Sequence, residues 1–130
     1  MLNNVVYVAV FVTDQERALD FYCNVLGFEK RVDTPSLGGS RFVTVGLKNQ
    51  HVSLLLWPGT PGRGNPVQGL PPAQYTIATD DCRGMFETLR SRGVKFEPAD
   101  VLEQPWGLIA KFEDVDGNLL QLREARRAAT

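Results

Sequence analysis

A chain of 130 residues is the size of one domain, and it can bury a core without disulfides or metal to hold it. Fourteen basic residues against fifteen acidic ones give a formal charge of −1, which leaves no field for phosphate and argues against nucleic acid as a partner. Two cysteines, Cys23 and Cys82, make neither a disulfide framework nor a metal-binding spacing.

The chain begins "MLNNVVYVAVFVTD", with no basic leader. Its apolar run is broken by Asp14 after eight residues, a strand length rather than a signal peptide or a membrane span, so a cytoplasmic location is expected. Val5 to Val12 is β-branched and aromatic and reads as a strand. "TDQE" then offers a capping box, Thr13 with Glu16. In "QERALDFYCNVLG" the residues Ala18, Phe21, Tyr22, Val25 and Leu26 fall on one helical face, and Gly27 stands where a helix stops. Shorter strands are expected at Phe28–Asp33, Arg41–Leu47 and His51–Trp57.

From Pro58 to Pro72 the chain is dense in proline and glycine and reads as a connector. The pattern then starts again. "QYTIAT" reads as a strand, "DD" as a cap, and "CRGMFETLRSR" as a helix with Met85, Phe86 and Leu89 on one face, ended by Gly93. Gly84 lowers the propensity of this helix without removing its flanking signals. Strands are expected at Val94–Glu97, Gly107–Glu113 and Asn118–Arg123. Arg123, Arg126 and Arg127, interrupted by Glu124, lead into a solvated tail.

The two halves match almost without a gap, with Asp14 opposite Asp81 and Arg41–Trp57 opposite Gly107–Arg123. An internal β-α-β-β-β repeat follows, with module 1 at about 1–58, a connector at 59–72 and module 2 at about 73–130 of one domain. Each module makes a sheet with its helix on one face. Strand alternation puts Val6, Val8, Val10 and Val12 toward the helix and Tyr7, Ala9 and Phe11 away from it. In the second module Tyr75, Ile77, Thr79, Leu120 and Leu122 face the helix. Gln74, Thr76, Ala78, Leu119, Gln121 and Arg123 face away. Two such sheets side by side form a cup, the concave kind of site that takes small ligands.

Three stretches, "VFVTDQERALDFYCNVLGFEK", "TDDCRGMFETLRSRGVKF" and "PWGLIAKFEDVDGNLLQL", together with the repeat, resemble the vicinal oxygen chelate superfamily. That group includes glyoxalases, bleomycin-resistance proteins, extradiol dioxygenases and fosfomycin-modifying enzymes. The resemblance covers nearly the whole chain, with Val115 where the family's Asp-Pro-Asp-Gly-Asn turn carries proline. It implies an α+β fold of two βαβββ modules forming a cup-shaped mixed β-sheet. It also implies a homodimer, in some members with exchanged halves, and the connector is long enough for either arrangement.

Metal-dependent members of that family place four ligands in the cup, two from each half. By the resemblance these positions correspond to Tyr7, Gln74, Gln121 and Leu54, or Ser53 if the register slips by one residue. Family ligands there are usually histidine, glutamate or glutamine, whereas here they read Tyr, Leu, Gln and Gln, with no carboxylate and no imidazole. A leucine, two neutral amides and a phenol suit neither a hard divalent cation nor a transition metal, so no metal cofactor is expected. His51, the only histidine, begins a strand at a hairpin and reads as an exposed residue.

The expected ligand-binding lining is Tyr7, Phe11, Leu54, Gln74, Thr76 and Gln121, extended by Val52, Leu56 and Arg123. Trp57 and Trp106 stand at the rims, where they either stack on a flat ligand or cover the core. Gln74 and Gln121 either orient a ligand or hydrogen-bond each other or Tyr7. The expected function is therefore metal-free binding of a small organic molecule, an antibiotic or a metabolite. The alternative is a lyase, isomerase or oxygenase, either with relocated metal ligands or using Tyr7. Glu103 and Glu113 are the carboxylates nearest the last hairpin, and Glu113 reads as solvated.

Overall fold

The computed structural model describes residues 1–35, 41–59 and 72–126. Its elements run β1 (Tyr7–Val12), α1 (Gln15–Leu19), β2 (Glu29–Pro35), β3 (Arg41–Gly46), β4 (Ser53–Pro58), β5 (Gln74–Ala78), α2 (Cys82–Ser91), β6 (Leu102–Gln104), β7 (Gly107–Glu113) and β8 (Leu119–Ala125). They form two four-stranded mixed sheets, ordered β1-β4-β3-β2 and β5-β8-β7-β6, which is the expected pair of βαβββ modules. Met1–Ala73 with Val115–Asn118 make one compact unit, and Gln74–Asp114 with Leu119–Thr130 make the other. Most of the predicted connector and the tail from Arg127 lie outside the described residues.

In the first unit the helix begins one residue later than the capping-box reading. Asp14 is the cap, its Oδ1 accepting from the backbone N–H of Glu16 and Arg17 at 2.9 and 3.2 Å. Thr13 is drawn elsewhere, donating to Asp116 Oδ1 through both its backbone N–H (3.0 Å) and its hydroxyl (2.5 Å). After α1 the chain continues as a π-helical segment, Asp20–Val25, with Leu26 N–H donating to Phe21 O at 3.0 Å. A wider turn narrows the angle between successive side chains, and the adjacent Phe21 and Tyr22 are both buried. Gly27, with φ of 88°, ends it as expected.

The four valines of the first strand do not all reach the core. Val10 and Val12 are fully buried, whereas Val6 and Val8 are about half exposed. β1 is an edge strand, and nothing among the described residues covers its N-terminal end.

In the second unit Asp81 caps α2, and Cys82, Phe86 and Leu89 form its buried stripe. Gly84 has a local reason here. Asp81 Oδ1 accepts from Gly84 N–H at 2.9 Å, and a β-carbon on Gly84 would collide with that carboxylate. Leu120, Leu122, Ala110 and Phe112 close the core from the sheet, and each buried leucine contributes about 2 kcal/mol. The predicted strand at Val94–Glu97 is corrected. Only Phe96 bridges to Phe112, Pro98 offers no N–H to continue the ladder, and the edge strand forms later at Leu102–Gln104.

The turn between β7 and β8 carries Gly117 at φ of 86° and lies with the first unit. Asn118 there is completely buried. Its Nδ2 donates to Phe11 O at 3.1 Å, and its Oδ1 accepts from Ala73 N–H at 2.9 Å.

Candidate functional site

Each sheet has one face under its helix and one face free of it, and the strand registers decide which side chains go where. β1 and β4 pair in parallel, Tyr7 with Ser53, Ala9 with Leu55 and Phe11 with Trp57, while Val8 pairs with Leu54 and Val10 with Leu56. Register partners point to the same face. Since Val10 and Leu56 are fully buried, the set Val8, Leu54, Val10 and Leu56 is the helix side. Leu54 and Leu56 therefore do not share a face with Tyr7, contrary to the expectation. Thr76 pairs with Gln121 in the second unit, and Ala9 with Leu55 in the first, so the residue equivalent to Gln121 is Leu55. Ser53 is also on the Tyr7 face, directly beside Tyr7. A slip of one residue reverses every side chain of a strand, which is why a repeat alignment alone misplaced this one.

The free face of the first sheet is aromatic. The rings of Tyr7 and Phe42 meet edge to face at 5.4 Å between centroids, and Phe42 meets Trp57 at 6.5 Å. Tyr7 is 47% exposed, so the cluster turns aromatic surface outward rather than sealing itself. Phe11 shares this face. Phe42 was missing from the sequence reading, although the signal was present: in "RFVTVG" the buried Val43 and Val45 put Phe42 and Thr44 on the opposite face.

Arg31 was also missing, and its position depends on a β-bulge. The β2–β3 register shifts between Lys30 and Val32, leaving Arg31 as the extra residue. Its guanidinium lies over Gly46, where a β-carbon would collide with it. It donates to Leu47 O at 2.5 Å, Ser53 Oγ at 3.0 Å and Val52 O at 3.5 Å.

The free face of the second sheet is polar. Gln121 Nε2 donates to Thr76 Oγ1 at 2.8 Å, so its partner is Thr76 and not Gln74 or Tyr7. Gln74 and Leu119 stand exposed beside them. Arg123 stacks over the Trp106 ring at 5.1 Å, a cation–π contact at the end of β8. His51 is exposed between β3 and β4, and Glu103 is paired with Arg83 at 2.9 Å.

The remaining ionisable cluster lies on the helix side. Arg41 bonds Asp33 through Nε and Nη2, both at 2.6 Å, and also bonds Glu16. The Asp33 carboxyl is consequently held well below the usual carboxylate range, by the Arg41 hydrogen bonds first and Lys30 second. A groove of about 300 Å³ beside it is lined by Glu16, Asp20, Cys23 and Lys30. Its charges already answer one another, and burial pushes the Cys23 thiol up, away from the reactive thiolate. Among the described residues no group of three His, Cys, Asp or Glu side chains is arranged to hold a metal ion, and no helix is long and apolar enough to cross a membrane.

Two βαβββ modules with Tyr7, Gln74 and Gln121 on their free faces define a glyoxalase-type protein. The chain belongs to the Glyoxalase/Bleomycin resistance protein/Dioxygenase superfamily, whose model matches residues 4–122. It is similar in structure to TnmS3, an antibiotic binding protein from Streptomyces sp. CB03234, with a TM-score of 0.81 and 32% identity over 96% of this chain and 98% of that one. A superfamily member from Sphaerobacter thermophilus DSM 20745 gives a TM-score of 0.80 at 34% identity, covering 95% of this chain and 98% of that one. In sequence it is 34% identical to YurT of Bacillus subtilis (strain 168), over 91% of this chain and 96% of YurT.

Proposed function

We propose that this protein binds a small organic molecule on the free face of its first sheet, without a metal ion, and that it sequesters the ligand rather than transforming it. The observation that carries this reading is the Tyr7–Phe42–Trp57 cluster, an exposed aromatic surface suited to a flat apolar ligand. In the second unit, the exposed Gln74 and the Gln121 side-chain carbonyl, which makes no hydrogen bond among the described residues, give that sheet's free face polar groups of its own. Similarity at 32% identity to an antibiotic binding protein supports the same class of ligand.

The metal-free part rests on donor chemistry. At the positions where the family holds its ion, the first unit offers Tyr7 and Leu55 and the second Gln74 and Gln121. Neither unit offers an imidazole or a carboxylate there, and such a set does not fit a divalent cation. We also propose that two chains pair and so cover Val5, Val6 and Val8 at the open edge of β1, which are 59%, 54% and 47% exposed. Light scattering on the eluting peak would read the mass, and a monomer would refute pairing.

Elemental analysis after incubation with zinc, manganese or nickel and desalting tests the main reading. No stoichiometric metal is expected. A stoichiometric ion whose retention falls in Gln121→Ala would overturn it and favour a metal-dependent enzyme.

A further inference from the structure

We infer that the ligand taken by the first sheet's free face is a planar aromatic acid, and that Arg31 binds its anionic oxygen. This rests on the ligand-binding reading above and adds its chemical class.

The placement follows from the register. Tyr7 and Ser53 are direct partners on adjacent strands, so their side chains stand about 5 Å apart on one face. Arg31 Nη1 donates to Ser53 Oγ at 3.0 Å, which puts the guanidinium next to the start of the aromatic cluster. Gly46 leaves the room for it to lie flat there. A ring system resting on Tyr7, Phe42 and Trp57 would thus carry its edge toward a fixed cation.

The charge on Arg31 is only weakly answered, by one long ion pair to Glu29, in contrast to Arg41. Arg41 is bound tightly by the Asp33 and Glu16 carboxylates. Arg31 is held by two backbone carbonyls and a hydroxyl, with its nearest carboxylate, Glu29, at 3.9 Å and 55% exposed. Neutral acceptors fix the orientation of a guanidinium without neutralising it. Of its five N–H groups three are used in these bonds. The Arg31 side chain is 22% exposed, enough for contact and little enough for a charged hydrogen bond to gain from partial desolvation. The bulge at Arg31 makes this possible, since regular pairing would place the residue in the ladder.

A matched pair of probes tests this: anthracene-2-carboxylate and its neutral isostere anthracene-2-carboxamide, titrated by calorimetry at low salt. The carboxylate is expected to bind the wild-type chain roughly tenfold to a hundredfold more tightly than the carboxamide. Arg31→Gln should erase that preference, and Arg31→Lys should retain part of it. The wild-type comparison needs no variant, so a folding defect in Arg31→Gln does not decide the outcome. Equal affinity for both probes would overturn the assignment of Arg31 and leave the aromatic binding face standing. Binding of neither probe would overturn the ligand-binding reading and this inference with it.

Discussion

Asn118→Ala is the substitution whose cost can be worked most directly from the structure. Asn118 is completely buried, and both ends of its amide are in use. Nδ2 donates to Phe11 O at 3.1 Å, while Oδ1 accepts from Ala73 N–H at 2.9 Å. Alanine removes both bonds and leaves the Phe11 carbonyl and the Ala73 N–H without them. Each orphaned group costs about 1–3 kcal/mol when buried, and Phe11 and Ala73 are only partly buried, so water recovers some of the loss. The expected destabilisation is about 2–4 kcal/mol, including the small cavity left behind. With a urea m-value of about 2 kcal/mol per molar, the midpoint of unfolding should fall by about 1–2 M at constant m. Asn118→Asp keeps the acceptor for Ala73 but sets an oxygen against the Phe11 carbonyl, so it should be no more stable than the alanine variant. A loss below about 0.5 kcal/mol for Asn118→Ala would refute the reasoning, because it would mean that the buried amide carries no net hydrogen-bond energy.

Two further outcomes are expected. Gly107 has φ of 152°, and a β-carbon there would collide with the Glu124 carbonyl oxygen across the β7–β8 ladder. Gly107→Ala should therefore lose about 2–4 kcal/mol in thermal or urea unfolding, and an unchanged midpoint would show that the strand relaxes freely. Asp33 binds its proton less readily in the native chain than in the unfolded one, first because of Arg41 and then Lys30. The unfolded state thus takes up the extra proton as pH falls below about 4, and this contribution to stability is present above that point and lost below it. Stability measured from pH 5 to 2 should fall less steeply in Asp33→Asn than in wild type, and parallel curves would refute this.

The repeat, the two helices and their ends were legible in the sequence because they are written locally. Asp81 supplies a cap, Gly27 and Gly93 supply positive φ, and strand alternation sorts Gln74, Thr76 and Gln121 from Tyr75, Ile77 and Leu122. The cap of the first helix was misread because Thr13 had a second partner, Asp116, far away in sequence. The edge strand at Leu102–Gln104 was missed because pairing with β7, rather than β-propensity, selects it.

The sequence by itself determined the superfamily, the two modules and the absence of histidine and acid from Tyr7, Gln74 and Gln121, since each follows from residue identity and short-range spacing. Only the tertiary structure decided that Leu55 and Ser53, and not Leu54, share the face of Tyr7. It alone brought Phe42 and Trp57 into contact and turned Arg31 onto that face through a bulge. Register and bulges are set by hydrogen bonding between strands that are distant in the chain, and a shift of one residue exchanges the two faces. The chemistry of the candidate site therefore depends on pairings that no single strand specifies.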